Sequence, residues 1–255
     1  MAEAIVAGIV NKGVVKAADV FVTDISEARL THFQMKYDVS TSNNNADSAS
    51  KSDVVVLSVK PQIFPEVWPE IEAALSPDTL VVSIMAGVPS SKIANGKPIR
   101  VVRVMPNTPA LIGEGAAGIA AGEFATEADL QVAEKLMGAV GATVIVKEEE
   151  LHAVTALSGS GPAYVFHLLE SMLEAAHQMG MEKGIARELA LATVIGAAKL
   201  MQETGEEADA LRKKVTSKGG TTAAAIQTLE EQKVKESIVA ALLAAQARSQ
   251  ELANG

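Results

Sequence analysis

The sequence contains no cysteine and few aromatic residues, with 1 tryptophan, 2 tyrosines and 5 phenylalanines among 255 residues. The absence of cysteine excludes disulfides, thiol catalysis and thiolate metal sites, and it suits a reducing compartment. The chain also lacks a tract rich in lysine and arginine. Its formal net charge is -9, which argues against nucleic acid as a partner.

Long apolar runs are absent as well, although 48% of the residues are hydrophobic, ample for a buried core. No run reaches the roughly 18 to 20 uncharged residues that a membrane-spanning helix needs. The N-terminus has neither the basic flank nor the cleavage site of a signal peptide. We therefore expect a cytoplasmic protein that does not contact a membrane.

Side chains that could ligate a metal or act as nucleophiles are scattered along the chain. The four histidines are His32, His152, His167 and His177, and no carboxylate cluster or Ser-His-Asp order accompanies them. The acidic run 148–150 is typical of a solvated helix start. We expect neither a metal site nor nucleophilic catalysis.

Short runs rich in Val, Ile and Leu alternate with helical patterns in the first half of the chain. This alternation predicts parallel strands joined by crossover helices, covered on both faces. The predicted strands are 19–23, 53–59, 79–85, 100–105, 116–121 and 142–146, and the polar stretch 40–52 reads as a loop and a short helix. Residues 1–147 are thus predicted to form a doubly wound α/β domain.

The second half, residues 148–255, is predicted to be entirely helical. The predicted helices are 148–157, 162–179, 183–203, 207–216, 222–231 and 234–252. Residues 186–200 and 238–247 are apolar on more than one face, and a small bundle cannot bury that much, so we expect a subunit interface. The alternative is that these helices pack only on the first domain.

Four short segments lie where predicted strands end or helices begin, which is where ligands bind in open α/β sheets. They are Val59-Lys60-Pro61-Gln62, Ser83-Ile84-Met85-Ala86-Gly87-Val88, Met105-Pro106-Asn107-Thr108-Pro109 and Thr216-Ser217-Lys218-Gly219-Gly220-Thr221-Thr222. Small residues let a flat ring approach the backbone, and an amide such as that of Asn107 can pair with a carboxamide. The last segment could hold a carboxylate at a helix start. Taken alone, each also fits an ordinary turn or cap.

Together with Leu157-Ser158-Gly159-Ser160-Gly161-Pro162-Ala163-Tyr164, these segments resemble the pyrroline-5-carboxylate reductases in order and spacing, across essentially the whole chain. The resemblance implies a Rossmann-like nucleotide-binding domain followed by an all-helical dimerisation domain. It implies a homodimer, with dimers assembled into larger rings such as a decamer. It also implies NAD(P)H-dependent reduction of a cyclic imine, the last step of proline biosynthesis.

By matching position, the resemblance also implies site residues. The predicted cofactor contacts are Asn45, Val59, Lys60, Pro61, Ile84, Met85, Ala86 and Asn107, and the predicted substrate contacts are Glu148, Ser217, Thr221 and Thr222. Thr222 is the predicted catalytic residue, its hydroxyl pairing with the ring nitrogen of the imine. The family often has proline where this chain has Lys218, which makes the loop less rigid.

The choice of cofactor and two other functions stay open at this point. Asp24 ends a predicted strand where an acid favours the ribose hydroxyls of NADH, whereas Ser26 and Arg29 could meet the extra phosphate of NADPH. NADPH is our first expectation. The chain could also be a reductase of the same plan acting on another imine or a hydroxy acid, or an inactive dimerisation or regulatory module.

The beginning of the sequence carries one further expectation. Residues 1–5 read as the first turn of the helix that normally follows a glycine-rich loop, whereas the first strand and its glycines are absent. The neighbouring strands at 19–23 and 53–59 would then each lack a ladder partner. We expect the natural protein to begin about a dozen residues upstream, the length of one strand and its loop.

Overall fold

Strands alternate with helices up to Ile145, and helices alone follow in this computed structural model, which describes residues 1–254. By packing, the chain divides into two compact units. The first contains residues 1–162 together with the chain from Ala244, and the second is Ala163–Leu243. The predicted α/β half followed by an all-helical half is confirmed, and its exact division at residue 147 stays a prediction.

Among the residues that the structure describes, seven strands form two sheets, both in the first unit. They are β1 (Phe21–Thr23), β2 (Ser40–Ser42), β3 (Val54–Leu57), β4 (Leu80–Ser83), β5 (Arg100–Met105), β6 (Gly115–Ala121) and β7 (Gly141–Ile145). Strands β1 and β2 pair in parallel as one sheet, and the other five form a second sheet in sequence order. Within residues 1–254, β1 pairs only with β2 and β3 only with β4, so both are edge strands as expected.

Two of the strand predictions need correction. The stretch 40–52 contains the predicted short helix, but Ser40–Ser42 is a strand, paired with Phe21–Thr23. Strand β6 runs antiparallel to β5, whereas β3, β4 and β5 are mutually parallel and β7 is parallel to β6. The segment between β5 and β6 holds a 3-10 turn, Thr108–Ile112, too short for the crossover that a parallel pair requires.

In the described part of the chain up to residue 160, seven α-helices accompany these strands. They are α1 (Ala2–Asn11), α2 (Glu27–Tyr37), α3 (Asn45–Ser50), α4 (Phe64–Ala74), α5 (Ser90–Ala94), α6 (Glu127–Gly138) and α7 (Leu151–Val154). Local caps fix several of their starts: the Thr126 side chain accepts from Asp129 N, while Asp129 accepts from Thr126 N, a capping box at the start of α6. The helical start predicted for residues 1–5 is confirmed by α1.

The larger sheet is covered on both faces, as its near-continuous apolar strands predicted. Along β5 the side chains alternate, because Val101 belongs to one buried cluster while Val102 and Val104 belong to the other. One cluster includes α1 and α6, and the other includes α4 and α5. This arrangement leaves the ends of the strands as the place where loops can form a site.

The second unit is built from helices. They are α8 (Gly161–Gln178), α9 (Lys183–Thr204), α10 (Ala208–Lys214), α11 (Thr221–Glu231) and α12 (Val234–Asn254), of which α8 begins and α12 ends in the first unit. The helix predicted at 148–157 is composite, with a 3-10 turn, then α7, then a π turn at Thr155–Gly159. None of the helices in residues 1–254 is both long and apolar enough to cross a membrane.

Candidate active site

Three of the predicted cofactor segments follow three adjacent strands. Val59–Pro61 comes after β3, Ile84–Ala86 after β4, and Asn107 after β5. Because these strands are parallel neighbours, their carboxyl ends and the loops that follow lie at the same edge of the sheet. The structure therefore brings these predicted residues together at one edge within the first unit.

The loop after β4 presents backbone and small side chains rather than a large side chain. Met85 is buried, with 2% of its surface exposed, so it anchors the loop in the core. Ala86 is exposed, and Gly87 has φ 74, a left-handed conformation that favours glycine. Lys60, in the neighbouring loop, is exposed. Small residues in one loop and an ammonium group on the neighbouring loop suit a flat ring and a phosphate, so this edge fits a nicotinamide dinucleotide.

The side chain of Asn107 is buried and makes two hydrogen bonds within the fold. Its Nδ2 donates to Ser158 O at 3.1 Å, and its Oδ1 accepts from Ala116 N at 2.9 Å. An amide offers two donor hydrogens and two acceptor lone pairs. One N–H and one lone pair of Asn107 are thus left over from these two bonds, in an orientation that the fold fixes.

Asn45 begins α3, on the smaller sheet's side of the unit. It is half-buried, and its Nδ2 donates to Glu70 Oε1 at 2.7 Å, which holds α3 against α4. The sequence motif gave no indication of this contact, because the partner lies 25 residues away. Its predicted role toward the cofactor stays a prediction.

The residues considered for cofactor choice already have partners within the protein. Asp24 Oδ1 accepts from Ser26 N at 2.9 Å just after β1. Arg29 Nη2 donates to Glu3 Oε2 at 3.0 Å, and its guanidinium stacks over Phe33. A cofactor phosphate would therefore compete with the Glu3 carboxylate for Arg29.

Glu148 lies at the centre of a polar cluster that the sequence did not reveal. Its carboxylate accepts hydrogen bonds from Ser90 N at 2.7 Å and from Ser90 Oγ, and Arg103 Nη1 donates to it at 3.1 Å. Burial lowers the pKa of Arg103, although the Glu148 charge opposes this. Burial, and then the charge of Arg103, also lower the pKa of His152, whose Nδ1 lies 2.9 Å from Ser249 Oγ.

The predicted substrate loop lies before α11 in the second unit. Gly219 has φ 74, and a Cβ on Gly220 would lie 2.5 Å from Ser217 Oγ, so both glycines shape this turn. Gly220 is the N-cap of α11 and no side chain caps the helix. The N–H groups of the first turn, at Thr221 and Thr222, therefore point out with the positive end of the helix dipole, as an anion site requires.

Within residues 1–254 no group of three or more His, Cys, Asp or Glu side chains could hold a metal ion. The loops after β3, β4 and β5 and the loop before α11 offer backbone amides, hydroxyls, the Lys60 ammonium group and the Asn107 carboxamide. Such groups bind and orient a ligand through hydrogen bonds.

Two family models match separate parts of the chain. Residues 148–252 match the family described as pyrroline-5-carboxylate reductase dimerisation. Residues 1–87 match the family described as NADP oxidoreductase, coenzyme F420-dependent.

Individual proteins are similar over nearly the full chain. A pyrroline-5-carboxylate reductase of Haemophilus influenzae is 44% identical over 99% of this chain and 94% of its own length. The solved structure of a pyrroline-5-carboxylate reductase of Coxiella burnetii has a TM-score of 0.93 at 40% identity, covering 98% of this chain and 94% of that one. A Plasmodium falciparum pyrroline carboxylate reductase, solved with NADP bound, has a TM-score of 0.88 at 28% identity over the same shares.

Proposed function

The chain belongs to the pyrroline-5-carboxylate reductase family, and from this premise we propose that it reduces 1-pyrroline-5-carboxylate to L-proline with a nicotinamide dinucleotide as hydride donor. The observation that carries the proposal is the 44% identity to a named reductase over 94% of that protein's length. The geometry supports it, because three loops at one edge of parallel strands fit a dinucleotide. We place the enzyme in the cytoplasm, where a cysteine-free chain is at no disadvantage.

We assign the dinucleotide to the carboxyl edge of β3, β4 and β5. Lys60 supplies a cation for a phosphate, and the small residues Ala86 and Gly87 let a ring approach the backbone of their loop. The remaining N–H and lone pair of Asn107 suit the nicotinamide carboxamide. The predicted contacts assigned in this way are Asn45, Val59, Lys60, Pro61, Ile84, Met85, Ala86 and Asn107.

The substrate is assigned to the start of α11. Its carboxylate would accept from the N–H groups of Thr221 and Thr222, with Ser217 beside them. The Thr222 hydroxyl would pair with the ring nitrogen and so hold the protonated imine in one orientation. The bound dinucleotide supplies the hydride. Since a protonated imine accepts hydride at carbon readily, positioning is the main task, worth up to ~7 to 11 kcal/mol of the barrier.

The helical half is assigned to subunit contacts. The match of residues 148–252 to a dimerisation family supports a division of the chain near residue 147, with residues 148–255 forming a dimerisation and substrate domain. Exposed apolar side chains in this half include Phe166 at 59% and Leu189 at 55%. Burial of such surface favours a homodimer, and dimers assembled into a ring such as a decamer would bury more of it.

The test is a spectrophotometric assay of the purified chain with pyrroline-5-carboxylate, an open-chain imine and a 2-oxo acid, each with NADPH and with NADH. We expect turnover of the cyclic imine alone, and a lower KM for NADPH than for NADH. Turnover of another substrate in preference would point to a different reductase of the same plan. Loss of all three activities, with the dinucleotide still bound, would favour an inactive module.

A further inference from the structure

The carboxylate of Glu148 is already committed to other residues of the first unit. Ser90 donates to it twice, from N at 2.7 Å and from Oγ, and Arg103 Nη1 donates at 3.1 Å. One oxygen takes the Ser90 hydroxyl and the other takes the Ser90 amide and Arg103. Both oxygens therefore already accept hydrogen bonds from protein groups, whereas a carboxylate that serves to bind a ligand would be expected to have an oxygen available.

The three residues form a largely buried chain of charge-assisted bonds. The Arg103 side chain is 9% exposed, the Glu148 side chain is 26% exposed, and Ser90 is buried. Removing Glu148 would leave the buried Arg103 charge without its partner, and removing the Ser90 hydroxyl would leave a carboxylate oxygen without its donor, and both changes are costly. Gly122 makes room for the set, because a Cβ there would lie 2.7 Å from Ser90 Cβ. Glycine at position 122 thus leaves the space that Ser90 occupies.

Ser90 also ends the loop to which we assign the nicotinamide. That loop starts after Ser83 and reaches α5 at Ser90. Its first residue is fixed by the sheet, since Ile84 N donates to Leu57 O at 3.1 Å. Its last residue is fixed by Glu148, which belongs to the 3-10 turn after β7.

We infer that Glu148 is a positioning residue for the dinucleotide: it holds the loop 84–89 through Ser90, and Arg103 in turn holds Glu148. The inference rests on the proposed function, since it uses the assignment of Ile84–Ala86 to the cofactor. It differs from the predicted role of Glu148 as a substrate contact. The two roles predict effects on different ligands.

The experiment compares the full chain with three single variants, Glu148→Gln, Ser90→Ala and Glu149→Gln, and with the double variant of Glu148 and Ser90. Glu149 is the matched control, because it is exposed in the same 3-10 turn. NADPH affinity is measured directly by fluorescence titration. The KM for pyrroline-5-carboxylate is measured at saturating NADPH, and each melting temperature is recorded.

We expect Glu148→Gln to raise the Kd for NADPH by about tenfold and Ser90→Ala by somewhat less, as for charge-assisted hydrogen bonds. The double variant should have a Kd for NADPH no higher than that of Glu148→Gln alone, because both changes disrupt the same contact between Ser90 and Glu148. The KM for the imine should stay within about twofold of its value in the unchanged protein, which is the deviation expected for sites that do not interact. Glu149→Gln should match the unchanged protein.

Three results would overturn the inference. One is a raised imine KM with an unchanged NADPH Kd in Glu148→Gln, which would make Glu148 a substrate contact. Another is a lowered melting temperature with both constants unchanged, which would make the cluster structural only. The third is a failure of the unchanged protein to bind dinucleotide, which would overturn the proposed function as well. Dinucleotide binding without imine reduction would contradict only the proposed function.

Discussion

The Thr222 hydroxyl is the residue-scale feature on which the proposed chemistry depends most. We expect Thr222→Val, which keeps the shape and loses the hydroxyl, to lower kcat/KM for the imine by about 10- to 100-fold, equivalent to ~1 to 3 kcal/mol. The Kd for NADPH should stay unchanged, because the hydroxyl is assigned to the imine and not to the cofactor. Steady-state kinetics and a binding titration measure the two quantities.

Thr222→Ser is the matched control for this change, since it keeps the hydroxyl and loses only a methyl group. It should retain most of the activity. Equal kcat/KM in the valine and serine variants would remove Thr222 from the catalytic role. A parallel rise in the NADPH Kd would assign it to the cofactor.

Local motifs single out some side chains of the candidate site. The two prolines around Asn107 mark it as a candidate, and the structure buries and fixes its amide, while its contact with the cofactor stays a prediction. Ser90 and Arg103 were missed, because they lie 58 and 45 residues before Glu148 and no local pattern links them. The acidic run 148–150 resembles a solvated helix start, so only tertiary contacts distinguish its first member.

At the scale of elements, Glu3 ties helix α1 to helix α2. Its carboxylate accepts from Arg29, His32, Lys36 and Tyr37. These hydrogen bonds, that of His32 first, hold the pKa of Glu3 well below its usual range. A lowered folded-state pKa means that the contribution to stability is full above the unfolded pKa, about 4.3, and is lost as the pH falls toward the folded value.

We therefore expect Glu3→Gln to unfold at lower urea concentration than the unchanged protein at pH 7. The difference should shrink as the pH falls below about 4.3, because the unchanged protein then loses the same interaction. Glu123→Gln is the control, since Glu123 is exposed on the loop before α6. A difference that is the same at pH 7 and at pH 3 would show that charge is not the cause.

The pairing of β6 with β7 depends on a close approach of two glycines. Gly115 and Gly141 are partners in the ladder, and a Cβ on Gly141 would lie 2.0 Å from Gly115 O. Gly138, three residues earlier, has open space around its Cβ position. We expect Gly141→Ala to lower the free energy of unfolding by roughly 1 to 3 kcal/mol or more.

Gly138→Ala provides the matched comparison, because it adds the same methyl group at the end of α6. It should be neutral or stabilising by up to ~1 kcal/mol, since it reduces the entropy of the unfolded chain. Urea unfolding of both variants is the measurement. Equal stability of the two would mean that the strands separate at no cost.

The elements themselves were largely predictable from apolar periodicity. Strand β5 matches its predicted range, 100–105, because its Val-rich run is buried on both sides. The antiparallel orientation of β6 was missed, although the segment 106–115 between the two predicted strands is too short for the crossover that a parallel pair requires. Strand β2 was missed because its three residues, Ser40–Ser42, are polar and half exposed, and they pair only with β1 within residues 1–254.

At the scale of the whole molecule, the second unit lacks a core of its own. The buried hydrophobic residues in Ala163–Leu243 are three alanines: Ala176, Ala186 and Ala190. Large apolar side chains of the same helices are instead about half exposed. Apolar periodicity shows which face of a helix is to be buried, but it does not show what packs on that face. The sequence therefore predicted a subunit interface and could not identify the surface on the other side of it.

We expect the protein to be a homodimer, or a multiple of one, at micromolar concentration, as measured by light scattering. Ile185 and Leu189 lie one turn apart on α9 and are 54% and 55% exposed. Replacing both with Glu keeps the helix propensity but places two charges on the apolar stripe that these two side chains form. The double variant should therefore form a smaller assembly, with a lower mass by light scattering. Its melting temperature should be lower and should rise with protein concentration.

Arg187→Glu, on the same helix, is the control, because it adds negative charge away from that stripe. It should leave the mass of the assembly unchanged. A stable monomer for the unchanged protein, or an unaltered mass for the double variant, would mean that these helices are covered in some other way.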